Sequence, residues 1–233
     1  MHDVIATLRG GLIVSCQAEP GDPLWGVDHM VALARAAAVG GAVAIRTNYP
    51  QHVSAIRQAV PLPVIGIYKK HYPNSPVYIT PTMAEVCAIA EAGADIVAVE
   101  LTDQPRPDGL SNAEFIAQIR RACPGLRVMA DISTLAEGQA AAALGVDLVS
   151  TTLSGYTPYS RQMDGPDLQL IGELARSVSV PVVAEGRFWD PRDCARALEL
   201  GAHAVVVGTA ITRPQTVTAW YVQAMRAAAR PTL

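Results

Sequence analysis

Several residues in this chain are of types that move protons or hold a small anion. Lys69 closes the apolar run Val64-Ile65-Gly66-Ile67-Tyr68, and Glu185 sits in Ala184-Glu185-Gly186-Arg187. A lysine drawn into a protein interior can act as a proton-transfer base or form a Schiff base, and a carboxyl nearby can serve as its acid-base partner. Gln17, Arg46, Asp131, Thr152 and Arg187 stand at the ends of further apolar runs and can bind a hydroxylated substrate. A second constellation is the pair of segments Gly186-Arg187 and Val207-Gly208-Thr209-Ala210-Ile211-Thr212-Arg213-Pro214. Gly186 and Gly208 let the backbone approach a ligand closely, and Arg213 adds a charge-assisted contact. Pro214 fits the first turn of a last helix, whose N-terminus attracts anions. Gly186, Gly208, Thr209 and Arg213 are therefore the expected phosphate grip.

Each residue also has a plainer reading. Lys69 could lie along the surface, as Lys70 is expected to. Strand alternation puts Ile65, Ile67 and Lys69 on one face and Gly66, Tyr68 and Lys70 on the other, so only one lysine enters an interior; Lys69 is the choice. Glu185 could merely pair with Arg187, and Asp131 could merely cap the next helix, a task open also to Ser133 or Thr134. His71 and Tyr72 read as loop residues.

The elements that must position these groups recur along the whole chain. Runs rich in Val and Ile fall at Gly11–Gln17, Ala42–Arg46, Val64–Lys69, Asp95–Thr102, Arg127–Ser133, Leu148–Ser154, Val182–Arg187 and Ala204–Thr209. Their length and continuous apolar character suit strands buried on both faces. Amphipathic stretches lie between them, such as Met83–Ala92, Leu135–Leu144, Pro191–Leu200 and Pro214–Ala229. Gly40, Gly93, Gly145 and Gly201 fit left-handed helix caps about 53 residues apart, and each period holds two strand–helix units. Four periods predict an α/β fold, a single (β/α)8 TIM barrel over 1–233, in preference to an open doubly wound sheet. In such barrels the active site lies where strands end, and the seventh and eighth loops hold phosphate. The ends Gln17, Arg46, Lys69, Glu100 with Thr102, Asp131, Thr151 with Thr152 and Ser154, Glu185 with Arg187, and Thr209 are expected to converge.

Composition limits the alternatives. The 233 residues are half apolar, with a formal charge of −3 and no basic run, which argues against nucleic-acid or anionic-membrane partners. Cys16, Cys87, Cys123 and Cys194 are dispersed and read as thiols in a reduced compartment, and the five histidines lack metal-ligand spacing. Met1 to Arg9 is too short and polar for a signal peptide, and no apolar run reaches membrane length, so a cytoplasmic protein is expected. In the final stretch, Trp220, Tyr221 and Met225 could pack on the barrel or form a dimer face, with barrel packing as the default.

The motifs, taken in order, resemble the N-acetylmannosamine-6-phosphate 2-epimerases of sialic-acid catabolism. The resemblance runs through Gly11 to Gln17, Ile45-Arg46-Thr47-Asn48, Gly66-Ile67-Tyr68-Lys69 and Ile79-Thr80-Pro81-Thr82. It continues through Ala130 to Thr134, Ser150 to Thr157, Ala184 to Arg187 and Gly208 to Pro214. It implies interconversion of N-acetylmannosamine 6-phosphate and N-acetylglucosamine 6-phosphate, with no metal or organic cofactor, by a homodimer. It puts the catalytic lysine and glutamate at Lys69 and Glu185, ligand contacts at Gln17, Arg46 and Asp131, and phosphate contacts at Gly186, Gly208 and Arg213. One segment departs: where the family shows Asp-x-Thr-x-Arg-x-Arg-Pro, this chain reads Glu100-Leu101-Thr102-Asp103-Gln104-Pro105-Arg106-Pro107.

The expected chemistry is removal of the proton at C2, acidified by the neighbouring aldehyde, and its return to the other face. Lys69 can be neutral near pH 7 only if burial and Arg46 or Arg187 lower its pKa. A Schiff-base aldolase using Lys69 is the alternative enzyme, and a catalytically silent sugar-phosphate sensor a third expectation.

Overall fold

Valine, isoleucine and alanine dominate the eight short runs because each becomes a strand covered on both faces. A computed structural model describes residues 3–228. In it β1 (Leu12–Cys16), β2 (Ala44–Asn48), β3 (Val64–Ile67), β4 (Ile96–Glu100), β5 (Arg127–Asp131), β6 (Leu148–Ser150), β7 (Val182–Glu185) and β8 (Ala204–Val207) pair in sequence order, all parallel. β8 returns to β1 and closes the barrel. The (β/α)8 expectation is met, and the open sheet is excluded.

Alternation sorts each strand into two cores. Ile13, Ala44, Ile65, Ile67, Ile96, Ala98, Met129, Leu148, Val183, Ala204 and Val206 fill the barrel. Their neighbours Val14, Ile45, Val64, Val97, Val99, Val128, Val149 and Val182 face outward under the helices. The short N-terminal helix α1 (Val4–Thr7) and the fully buried Leu8 join the interior cluster, with Val4 and Ile5 packed against it.

The outer layer is α2 (Val27–Val39), α3 (Pro50–Ala59), α4 (Met83–Glu91), α5 (Asn112–Ala122), α6 (Leu135–Ala143), α7 (Leu168–Ser177) and α8 (Pro191–Glu199). Capping boxes start three of them: Thr82 with Glu85, Ser111 with Glu114, and Thr134 with Glu137. Thr134 thus fills the capping role considered for Asp131. Gly66 on β3 is where α4 comes closest, since a Cβ there would lie 2.4 Å from Ile89 Cγ2.

Four expectations change. Gly40 is right-handed at φ −72°, and it is Gly41, at +91°, that takes the left-handed turn after α2; Gly93, Gly145 and Gly201 do so as expected. β2 starts two residues later than the sequence suggests and runs on to Asn48, because Thr47 donates to the Cys16 carbonyl and Asn48 to Glu19, so these polar residues still pair. The eighth loop leads first into a short helix, α9 (Thr209–Thr212), and only then into α10 (Pro214–Ala228). Ala229 lies outside the described residues, as do Met1 and His2. None of the side chains of α10 is buried, and Trp220, Tyr221, Val222 and Met225 are exposed. Core packing of this helix, the default from sequence, is overturned. Among the described residues no helix is long and apolar enough to cross a membrane.

Candidate active site

Above the last interior apolar layer, the same alternation turns polar. Inward positions one step beyond Ile13, Ala44, Ile67, Val183 and Val206 are Ser15, Arg46, Lys69, Glu185 and Gly208. They surround a cavity of about 310 Å3 at the C-terminal mouth of the barrel. Gln17, Tyr78, Thr152, Tyr156, Gly186, Arg187, Trp189, Thr209, Thr212 and Arg213 complete much of its wall. Of the residues expected to act in catalysis or to bind substrate or phosphate, all but one line this cavity. Asp131 does not.

Asp131 is fully buried behind Arg46. Arg46 Nη1 donates to Asp131 Oδ1 at 3.0 Å and Nη2 to Oδ2 at 2.6 Å, a bidentate pair inside the barrel. The Thr152 hydroxyl donates to Oδ1 at 2.7 Å. With both oxygens engaged, Asp131 reaches the cavity only through Arg46. That guanidinium also contacts Glu185, Nη1 to Oε2 at 3.1 Å. Its Nε is buried and has no hydrogen-bond partner among the described residues.

Glu185 is held in place by backbone and side chain. Its N–H donates to Thr151 Oγ1, and Thr151 Oγ1 donates to its carbonyl, at 3.0 and 2.9 Å. Burial raises the pKa of the Glu185 carboxyl; Arg46 pulls it down and Asp131 pushes it up again. The net direction is up, so Glu185 holds its proton to higher pH than an ordinary glutamate. The Thr152 hydroxyl, 2.7 Å from Asp131 Oδ1 and 3.1 Å from Glu185 Oε2, is a donor to either carboxyl, and its bond to Glu185 works against the rise.

Lys69 is tuned the opposite way. Beyond Ile67 the chain leaves β3 and doubles back, pairing Lys69 with Ile79 in an antiparallel bridge, so the strand ends two residues before the sequence suggests. Asn48 Oδ1 accepts from the Lys69 N–H at 2.9 Å. Burial lowers the pKa of the Lys69 amine, and Arg46 and Arg213 lower it further, against Glu19 and Glu185. The sequence expectation named Arg187 as the second cation; the neighbour is Arg213. Lys70 turns outward, as expected, to Glu85 at 3.0 Å.

Arg187 does not pair with Glu185. Its Nε donates to the Gly165 carbonyl and Nη1 to the Ser154 carbonyl, and its guanidinium stands over the Tyr156 ring. Two of its donors are thus spent on bracing the sixth loop. Gln17 donates through Nε2 to Ser15 at 2.8 Å, and its buried Oε1 lacks a partner among the described residues.

The seventh and eighth loops close one side. Gly186 has φ +108°, a conformation other residues rarely adopt, and a Cβ on Gly208 would press on Ser15 at 3.3 Å. Gly208 caps α9, so the extra short helix, rather than α10, points its N-terminus at the cavity. Arg213 follows α9 and lies 3.9 Å from Asp22.

Glu100, Thr102, Thr151 and Ser154 do not reach the cavity. Glu100 is fully buried and accepts from the Tyr78 and Ile79 N–H groups and from Thr102. Arg106 is also buried, donating to the Glu100 and Pro81 carbonyls and stacking on Phe115. Sequence reasoning missed Tyr78, Thr212, Ser15 and, behind Lys69, Glu19. The apolar-run test points to strand ends, and Tyr78 and Glu19 belong to loops. Among the described residues no group of three or more His, Cys, Asp or Glu could hold a metal ion.

Residues 30–227 match the family model NanE, described as "Putative N-acetylmannosamine-6-phosphate epimerase". A protein of the same description, as a 2-epimerase, from Caldanaerobacter subterraneus subsp. tengcongensis is 54% identical over 94% of this chain and 93% of its own. One from Enterobacter sp. (strain 638) is 47% identical over 97% of each. The solved structure of the N-acetylmannosamine-6-phosphate 2-epimerase from Clostridium perfringens superposes with a TM-score of 0.92 at 43% identity, covering 95% of this chain and 96% of that one.

Proposed function

The chain belongs to the N-acetylmannosamine-6-phosphate epimerase family, and on that premise we propose that it interconverts N-acetylmannosamine 6-phosphate and N-acetylglucosamine 6-phosphate, acting as an N-acylglucosamine-6-phosphate 2-epimerase. One observation carries the reading. An amine with a lowered pKa and a carboxyl with a raised one, Lys69 and Glu185, line a single cavity that the Gly186, Gly208 and Arg213 loops also wall. Groups tuned apart in this way are what proton transfer in two senses requires.

The phosphate is held by Arg213 and by the backbone at Gly186, Gly208 and Thr209, which turns binding energy at C6 into orientation at C2. Neutral Lys69 takes the C2 proton of the open-chain sugar. The C–H electron pair moves into the C1–C2 bond, and charge gathers on the aldehyde oxygen. The Arg46 guanidinium, fixed by Asp131 and lining the cavity, is the charge-assisted donor for that oxygen. Glu185, carrying its proton, is the second acid-base group. Gln17 Oε1 can accept from the N-acetyl N–H or a hydroxyl. Thr152 and Arg187 hold the wall that Glu185 and the sixth loop share. The relatives favour this chemistry over the Schiff-base aldolase. The exposed apolar side chains of α10 suit the homodimer expected of the family.

The test is proton NMR of the purified protein with N-acetylmannosamine 6-phosphate. The glucosamine epimer should appear, and in deuterated water C2 should exchange. Exchange that persists in a folded Lys69→Ala variant would remove Lys69 from the role.

A further inference from the structure

The loop after β1 carries a third carboxylate to the far side of Lys69. Glu19 Oε1 lies 3.6 Å from Lys69 Nζ, yet Glu19 is not part of the cavity wall that Lys69 lines. It therefore stands within reach of the amine from outside that wall.

Its carboxylate is fixed from several sides. Tyr49 Oη donates to Oε2 at 2.6 Å, Asn48 Nδ2 donates to Oε1 at 3.4 Å, and the Glu19 N–H donates to Asp22 at 2.8 Å. Asn48 also accepts from the Lys69 N–H, so one side chain registers amine and carboxylate against each other. Tyr49 has φ +77°, a left-handed conformation unusual for a side chain of this size. Its ring is wedged edge-on between Trp25, His52 and Tyr68, with centroids 5.3 to 5.8 Å away. Backbone strain held by an aromatic cluster, with its hydroxyl delivered to Glu19, points to a role beyond packing.

The charged groups facing the Lys69 amine are Glu19 from the first loop, Arg46 from β2, Glu185 from β7 and Arg213 after α9. The two arginines oppose an ammonium there. Glu185 is engaged with Arg46 and Thr152. Glu19 has no arginine partner among the described residues.

We propose that Glu19 is a positioning residue for Lys69: held by Tyr49, it aims the amine at the cavity and is the counter-ion of the ammonium formed when that amine takes a proton from the substrate. The inference rests on the reading of Lys69 as the group that moves the C2 proton. In that step Nζ goes from neutral to positive while the electron pair left behind moves toward the aldehyde oxygen. The Glu19 charge sits beside the atom where the positive charge appears, and the return of the proton reverses the change.

Glu19→Gln keeps the shape and removes the charge. The ammonium loses its counter-ion, so Lys69 is neutral to lower pH, and the acidic limb of the kcat/KM profile should move down by about one pH unit. A weaker base also abstracts more slowly, so the plateau rate should fall about three- to tenfold. Tyr49→Phe, which frees one Glu19 oxygen, should move the limb the same way by less, and it remains available if the first variant does not fold. The Lys69 pKa is read separately by competitive acetylation at a series of pH values with mass spectrometry, without substrate. A fall in both variants supports the inference. Wild-type turnover with an unmoved limb and an unmoved Lys69 labelling pKa overturns it. A wild-type protein that fails to epimerise the sugar phosphate refutes the functional reading instead, while the labelling still decides whether Glu19 governs the amine.

Discussion

Replacing Asp131 by Asn tests the reasoning about the site most severely, because it removes a charge buried behind Arg46. The Arg46–Asp131 pair is buried, with N–O distances of 3.0 and 2.6 Å. Asparagine keeps one acceptor and presents an NH2 group to an arginine N–H, so a donor faces a donor. Breaking a buried pair on one side costs about 3–5 kcal/mol. For a chain of this length each kcal/mol is worth about 2–4 °C, so with one acceptor retained Tm should fall by about 6–12 °C. The second effect is chemical. Asp131 pushes the Glu185 pKa up and Arg46 pulls it down; in the variant only the arginine remains. The Glu185 pKa must drop. If Glu185 works as an acid, activity is lost as pH rises through its pKa, so the alkaline limb of the profile should move to lower pH, by about one unit for a charge at this range. Calorimetry and the pH dependence of epimerisation by NMR measure the two effects. An unchanged Tm would refute the pair as a structural tie. An alkaline limb that stays put, or moves up, would refute Glu185 as the proton donor.

Other outcomes follow from the same geometry. Lys69→Met should abolish C2 exchange yet raise Tm at pH 7 by about 2–4 °C, near 1 kcal/mol, because a buried amine with a lowered pKa costs stability as pH falls below its unfolded value. The gain should shrink as pH rises toward 10.5, the ordinary lysine value, and a loss of Tm at neutral pH would contradict the burial argument. Arg213→Ala removes a charge-assisted contact of about 1.5–3 kcal/mol, so KM for the sugar phosphate should rise about 10- to 100-fold with a smaller change in kcat. Inhibition by inorganic phosphate should weaken in parallel, and an unchanged phosphate inhibition constant would place the anion elsewhere. Light scattering should give a mass near twice 24.6 kDa, and a single-chain mass would leave the exposed face of α10 without the expected partner.

Most of the architecture could be read from period and punctuation, because a buried parallel strand must be apolar throughout and a helix must stop before the next one. Lys69 was also legible: alternation from Ile65 and Ile67 decided which of two adjacent lysines entered the barrel. What alternation cannot give is depth. Asp131 and Glu100 face inward as surely as Glu185 does, yet both are sealed off, Asp131 by Arg46 and Thr152 and Glu100 by the returning Tyr78–Ile79 segment. Arg187 follows the same strand as Glu185, so an ion pair looked natural; a left-handed backbone at φ +57° sends its side chain to loop carbonyls. Glu19 left no pattern, since its partners Tyr49 and Lys69 come from other units of the barrel. The final helix misled in a different way: an amphipathic pattern tells which face seeks cover, and it does not tell from where.

The departure at Glu100 shows why sequence distance from a family pattern is a poor guide to distance from the chemistry. Glu100 is longer by one methylene than the family's aspartate, and Gln104 lacks an arginine's charge. Neither lines the cavity. The longer arm of Glu100 lets Oε2 accept from the Tyr78 and Ile79 N–H groups at 3.1 and 3.3 Å, while Oε1 takes Thr102 at 2.8 Å and Gln104 approaches at 3.4 Å. Ile79 pairs with Lys69 across the antiparallel bridge. Glu100 therefore fixes the backbone against which Lys69 is registered, and burial keeps its proton on to higher pH than an ordinary glutamate. Changes at position 100 should then act on stability and on the placement of Lys69 together, whereas Gln17, Arg46 and the two closing loops line the cavity itself.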